Sequence, residues 1–139
     1  MGVMIIAIDP DLEKSGFAKL ENGKLELFNF TFFELQDYFK DYRDQIEIII
    51  IEAGWLNKKS NWHGAANKSI ASRIGKNVGE NHATGKLLAQ MCDHMGLPYV
   101  LVKPTRNKLN AEEFKLLTGY EGRTNQETRD AGCLAFAKK

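Results

Sequence analysis

The sequence predicts an α/β domain built on a mixed five-stranded sheet, a three-strand meander joined to parallel strands, with helices flanking it. Three observations carry this. Asn22-Gly23 lies between two apolar stretches and marks a tight hairpin. Residues 46–51, with four isoleucines in a row from Ile48, show no alternation, which fits a central strand covered on both faces. Amphipathic stretches of helical period separate the strand-like runs. With 139 residues, 43% hydrophobic and 27% charged, residues 1–139 read as one soluble globular domain; collagen-like, low-complexity and disordered classes are excluded.

Residues 3–8 form an apolar, β-branched run ending in Asp9-Pro10, the pattern of a buried strand that delivers a polar residue at its carboxyl end. Residues 17–20 and 24–32 flank the Asn-Gly turn and pair antiparallel. Residues 33–43 set Leu35, Tyr38, Phe39 and Tyr42 at helical spacing among Glu34, Asp37 and Asp41. The isoleucine strand follows and ends at Glu52. Residues 53–76 lack clear periodicity and read as a basic loop: they carry Lys58, Lys59, Lys68, Arg73 and Lys76, with Trp55, Trp62 and His63, and no acid precedes Glu80. A helix over 78–95 buries Leu88, Met91 and Met95 and stops at Gly96 and Pro98; residues 99–102 form the last strand. Asn110 with Glu113, and Thr124 with Glu127, have capping-box spacing and open two closing helices.

The net charge of +1 conceals an asymmetry. Residues 1–52 hold 11 acidic and 5 basic side chains, and residues 53–139 hold 7 and 14. Such a split accompanies polyanion binding, and it also arises when acidic surface helices fall in one half. The apolar start lacks a basic leader, residues 46–56 are too short to span a membrane, and Ile6 breaks a myristoylation signal, so a cytoplasmic protein is expected. Cys92 and Cys133 have apolar neighbours and no metal spacing, as small core residues do in a reducing compartment.

Three acids stand where structure would present them. Asp9 and Glu52 end the two most apolar strands, and Asp130 precedes Ala131, Leu134 and Ala135 in the last helix. Carboxyl ends of adjacent strands are where open α/β sheets place ligands. Carboxylates held close repel one another unless a cation holds them, and Mg²⁺ or Mn²⁺ takes such oxygen ligands. An Asp before Pro also serves as a plain turn residue, and a capping role would account for Glu127 in full. Asp130 has no local role of that kind.

The segment Ile5 to Pro10, followed by Ser15-Gly16-Phe17-Ala18, resembles the opening strand and turn of the RuvC-type Holliday-junction resolvases of the ribonuclease H-like superfamily. Residues 48–52 are similar to that family's strand ending in a catalytic Glu, residues 81–85 through Gly96-Leu97-Pro98 to its glycine-containing helix and strand entry, and residues 129–135 to its terminal helix. The resemblance implies a ribonuclease H-like fold and a metal-binding set of Asp9, Glu52 and Asp130. Glu127 falls where a fourth ligand, normally Asp, would sit; Asp11 replaces a usual Gly. It further implies two ions per site and phosphodiester hydrolysis of branched DNA that leaves 5′-phosphates. One ion would activate water and the other stabilise the leaving oxygen.

An anionic pocket for an anionic substrate needs basic residues around it. Lys58, Lys59, Lys68, Arg73 and Lys76 are the candidates on one side, with Lys103, Arg106 and Lys108 on the other. Trp62 and His63 offer stacking surfaces for opened bases. Trp55, directly after the strand, reads rather as an anchor of the loop. The two-fold symmetry of a four-way junction makes a homodimer the expected partner state. Two other readings fit the same fold: a ribonuclease H or transposase-type nuclease, and a non-catalytic nucleic-acid-binding relative.

Overall fold

The computed structural model describes residues 2–57, 68–105 and 108–138. Strands β1 (Met4–Asp9), β2 (Ser15–Glu21) and β3 (Lys24–Phe30) form an antiparallel meander. Asn22 and Gly23 between β2 and β3 both have positive φ, 54° and 76°, and this left-handed pair matches the twist of the strands it joins. Helix α1 (Phe32–Asp41) begins at a reciprocal cap: the Thr31 hydroxyl accepts the Glu34 N–H, and the Glu34 carboxylate accepts the Thr31 N–H. A 3-10 turn, Arg43–Gln45, leads into β4 (Ile46–Glu52), which runs parallel to β1, and β5 (Tyr99–Val102) runs parallel to β4. The sheet order is β3-β2-β1-β4-β5, the mixed five-stranded sheet that the sequence predicts.

Burial on two faces explains the isoleucine run. Met4, Ile6, Ile8, Ile49 and Ile51 pack beneath α1 and α2 (Lys68–Met95) with Leu35, Phe39, Leu88 and Cys92. Ala7, Ala18 and Ile50 face the other way, against Phe114 of α3 (Ala111–Thr118) and Ala131 and Ala135 of α4 (Gln126–Lys138). Each fully buried isoleucine contributes about 1.5–3 kcal/mol relative to exposure. Both cysteines are free thiols, Cys92 buried and Cys133 half-buried, as expected of core residues.

Two sequence expectations are corrected. Residues 53–76 are not one basic loop: Gly54–Leu56 is a 3-10 turn, and α2 begins at Lys68 rather than near residue 78. Helical periodicity reports packing, and none of the side chains at 72–83 is buried, whereas Thr84, Leu88 and Cys92 are. Ile70, Ile74 and Val78 do stand four apart there, but Arg73 and Lys76 among them and the glycines Gly75 and Gly79 weaken the helical signal. The last helix also caps differently. Asn125 and Thr128 exchange the capping hydrogen bonds, and Thr124 instead accepts from the Arg129 guanidinium. Among the described residues no helix is long and apolar enough to cross a membrane.

Candidate metal centre

Strand parity gathers the acids. Side chains alternate along a strand, so Asp9 shares the face of Ala7, and Glu52 shares that of Ile50. The parallel register pairs Ile8 with Ile51, which brings the next residues, Asp9 and Glu52, alongside each other. Helix α4 lies over this face on small residues, Ala131, Gly132 and Ala135, all buried. Gly16 pairs with Asp9 across β1 and β2, and a Cβ there would lie 2.2 Å from the Glu127 carbonyl oxygen. Its bare backbone lets the first turn of α4 approach, and Asp130 follows one turn on. One carboxylate oxygen from each of Asp9, Glu52 and Asp130 lies within 4.8 Å of the others.

The charge state follows from this crowding. Burial, then the Glu52 and Asp130 charges, push the Asp9 carboxyl up to about 8, against which the Lys108 ammonium pulls. Burial also raises Glu52, with Lys108 opposing and Asp130 adding to the rise. Lys108 Nζ donates to Asp130 Oδ2 at 2.8 Å and stands 4.0 Å from Glu52 Oε1. Burial alone would lower the lysine, but the bond to Asp130 and the surrounding carboxylates outweigh it and raise it. The other Asp130 oxygen, Oδ1, accepts from Gln126 Nε2 at 2.9 Å.

Glu127 stands outside this trio. Its carboxylate accepts a long 3.4 Å bond from Asn29 Nδ2, and burial, followed by the charges of Asp11 and Asp130, raises it. With the cap made by Asn125 and Thr128, Glu127 has no capping duty.

Helix α2 braces the segments that leave both ligand-bearing strands. Asn81 Oδ1 accepts the Leu12 N–H at 3.2 Å. A Cβ at Gly85 would meet the Trp55 ring at 2.6 Å and Pro10 Cγ at 3.1 Å. Trp55 is thus an anchor, with His82 edge-on to its ring and Lys86 Nζ 5.8 Å from the ring centroid.

Of the basic candidates, Arg73 and Lys76 are exposed three residues apart on α2, and Lys103 is exposed after β5. Lys108 differs, being committed to the acids. Lys58, Lys59, Trp62, His63 and Arg106 lie outside the described residues; Lys68 opens α2, and its side chain lies outside them too. Sequence reasoning missed Lys108 as a counter-ion, Gln126 and the role of Gly16. Only Gln126 left a signal: it precedes Asp130 by four residues, the spacing at which Gln and Asp bond on a helix.

A donor set of three crowded carboxylates, two of them held above the ordinary range, suits a hard divalent cation. A mixed sheet in this strand order, with helices on both faces, is the ribonuclease H-like fold in its RuvC-like form. Among solved structures the chain is similar to T. thermophilus RuvC in complex with Holliday junction substrate, with a TM-score of 0.54 and 13% identity over 96% of this chain and 90% of that chain. Neither family models nor curated protein sequences match it.

Proposed function

We propose that the protein is a divalent-metal-dependent endonuclease that hydrolyses phosphodiesters in branched DNA, four-way junctions foremost. The observation that carries this is the convergence of Asp9, Glu52 and Asp130 on a fold shared with a protein solved on a Holliday junction. These three, with Glu127 beside them, would hold Mg²⁺ or Mn²⁺, two ions in this reading. The bound metal supplies a Lewis acid for the phosphate and an activated water. Gln126 Nε2 holds the Asp130 carboxylate by its Oδ1 oxygen, which pre-orients it as a ligand. Arg73, Lys76 and Lys103 are free to hold backbone phosphates, which position the strand without reading its sequence. The products carry 5′-phosphates, and the protein acts as a homodimer on the two-fold symmetric junction.

The test is cleavage of a synthetic four-way junction in Mg²⁺ or Mn²⁺. Asp9→Asn is expected to abolish cleavage and to retain binding. Binding without cleavage at every metal concentration would favour a non-catalytic role, and preferential cutting of an RNA·DNA hybrid would favour a ribonuclease H.

A further inference from the structure

We propose that Lys108 is an exchangeable counter-cation: it balances the carboxylate cluster until a divalent ion takes its place, and is then handed to a backbone phosphate of the bound DNA. The second half rests on the nuclease reading above; the first does not.

The geometry is that of a stand-in cation. Lys108 Nζ is 2.8 Å from Asp130 Oδ2 and 4.0 Å from Glu52 Oε1. It thereby touches two of the three residues that can ligate a metal together. An ammonium and a divalent ion in one ring of carboxylates compete, because each is attracted by the same charges and repelled by the other. The lysine is also built to leave. Its side chain is 44% exposed while those of Glu52 and Asp130 are 12% and 11% exposed, so its stem reaches into the site from solvent. It precedes α3, whose start is fixed by the cap between Asn110 and Glu113, and a four-carbon stem on a fixed backbone can swing its charge by several ångströms. Once displaced, that charge stands at the rim of the site, where a DNA phosphate must pass. Metal binding and DNA binding then favour each other through one side chain, and reciprocity of linkage requires the coupling in both directions.

Lys108→Gln separates the two halves. The first measurement is Ca²⁺ uptake by calorimetry, without DNA, at a pH high enough that affinity no longer rises with pH in either protein, because loss of the Lys108 charge lifts the Asp9 and Glu52 carboxyls further. The variant is expected to bind Ca²⁺ about tenfold more tightly, having lost the competitor; Lys108→Arg should stay near wild type. Equal or weaker binding by Lys108→Gln overturns the proposal, as does no uptake by either protein. The second measurement is the salt dependence of four-way junction binding. In Ca²⁺ the slope of log K against log salt should be shallower in Lys108→Gln than in wild type by about 0.9, one phosphate contact. In EDTA the two slopes should agree. A difference of the same size in EDTA, or none in Ca²⁺, overturns the exchange. If neither protein binds the junction, the nuclease reading fails, while the Ca²⁺ result still decides whether Lys108 is the counter-cation.

Discussion

Asp9 carries the largest electrostatic cost in the described molecule's site. Its carboxyl titrates near 3.8 in the unfolded chain and at about 8 in the fold. Between those values the folded state holds a proton that the unfolded chain has released. The stabilising contribution is therefore complete below 3.8 and is lost as pH rises towards 8, at up to about 1.4 kcal/mol per pH unit. Thermal melts in EDTA should show metal-free wild type losing stability across this window. Asp9→Asn, neutral at every pH, should flatten that dependence and melt higher than wild type near pH 8; added Mg²⁺ should close the gap by stabilising only wild type. Asp9, Glu52 and Asp130 were legible in the sequence because each stands at the border of an apolar run, where a charge needs a reason. Lys108 was not. A lysine in a basic half of a chain looks the same whether it meets DNA or a carboxylate, and only the fold brings residue 108 to residues 52 and 130.

At the level of elements, strands were easier to read than the long helix. The Asn22-Gly23 turn, the isoleucine strand and the Asn110 cap declare themselves in local sequence. Helix α2 does so only where it packs, from Thr84 on; in its first half none of the described side chains, 72–81, is buried. That half contains a glycine, Gly79, around which a Cβ would find open space. A mid-helix glycine costs about 0.5–1 kcal/mol relative to alanine. Gly79→Ala should therefore raise the melting temperature, by about 3 °C for a chain of this size. Calorimetry or circular dichroism would measure it, and a fall would mean that the helix is not continuous there. The shifted cap of α4 teaches the same lesson from the other side: Thr124 and Glu127 have the right spacing, but Asn125 wins the position because Thr128 returns its hydrogen bond.

For the molecule as a whole, the charge split acquires a geography. The acidic first half includes two of the clustered carboxylates, Asp9 and Glu52, and the exposed Glu34, Asp37 and Asp41 of α1. The basic second half displays Arg73, Lys76 and Lys103 with open access to solvent. If these hold phosphates, a double variant Arg73→Ala with Lys76→Ala should weaken junction binding and lower the salt slope by about two, alike for all branched sequences. Electrophoretic mobility shifts over a salt series would measure this; an unchanged slope would remove α2 from the DNA-binding surface.

The four isoleucines of β4 have one more consequence. Because residues 48–51 offer the same side chain to both faces, sliding β4 by one position against β1 would satisfy either layer of the core nearly as well as the native alignment. The same slide would turn Glu52 towards the α2 layer and would move Ile46 and Glu47 out of their buried and exposed places at the other end of the strand. The four isoleucines themselves do not proofread this strand. Its alignment is guarded from outside, by the flanking 3-10 turns and by the Ile49 N–H on the Pro98 carbonyl and the Ala53 N–H on that of Val102. What keeps Glu52 in the site is thus held at the ends of the strand, not along its length.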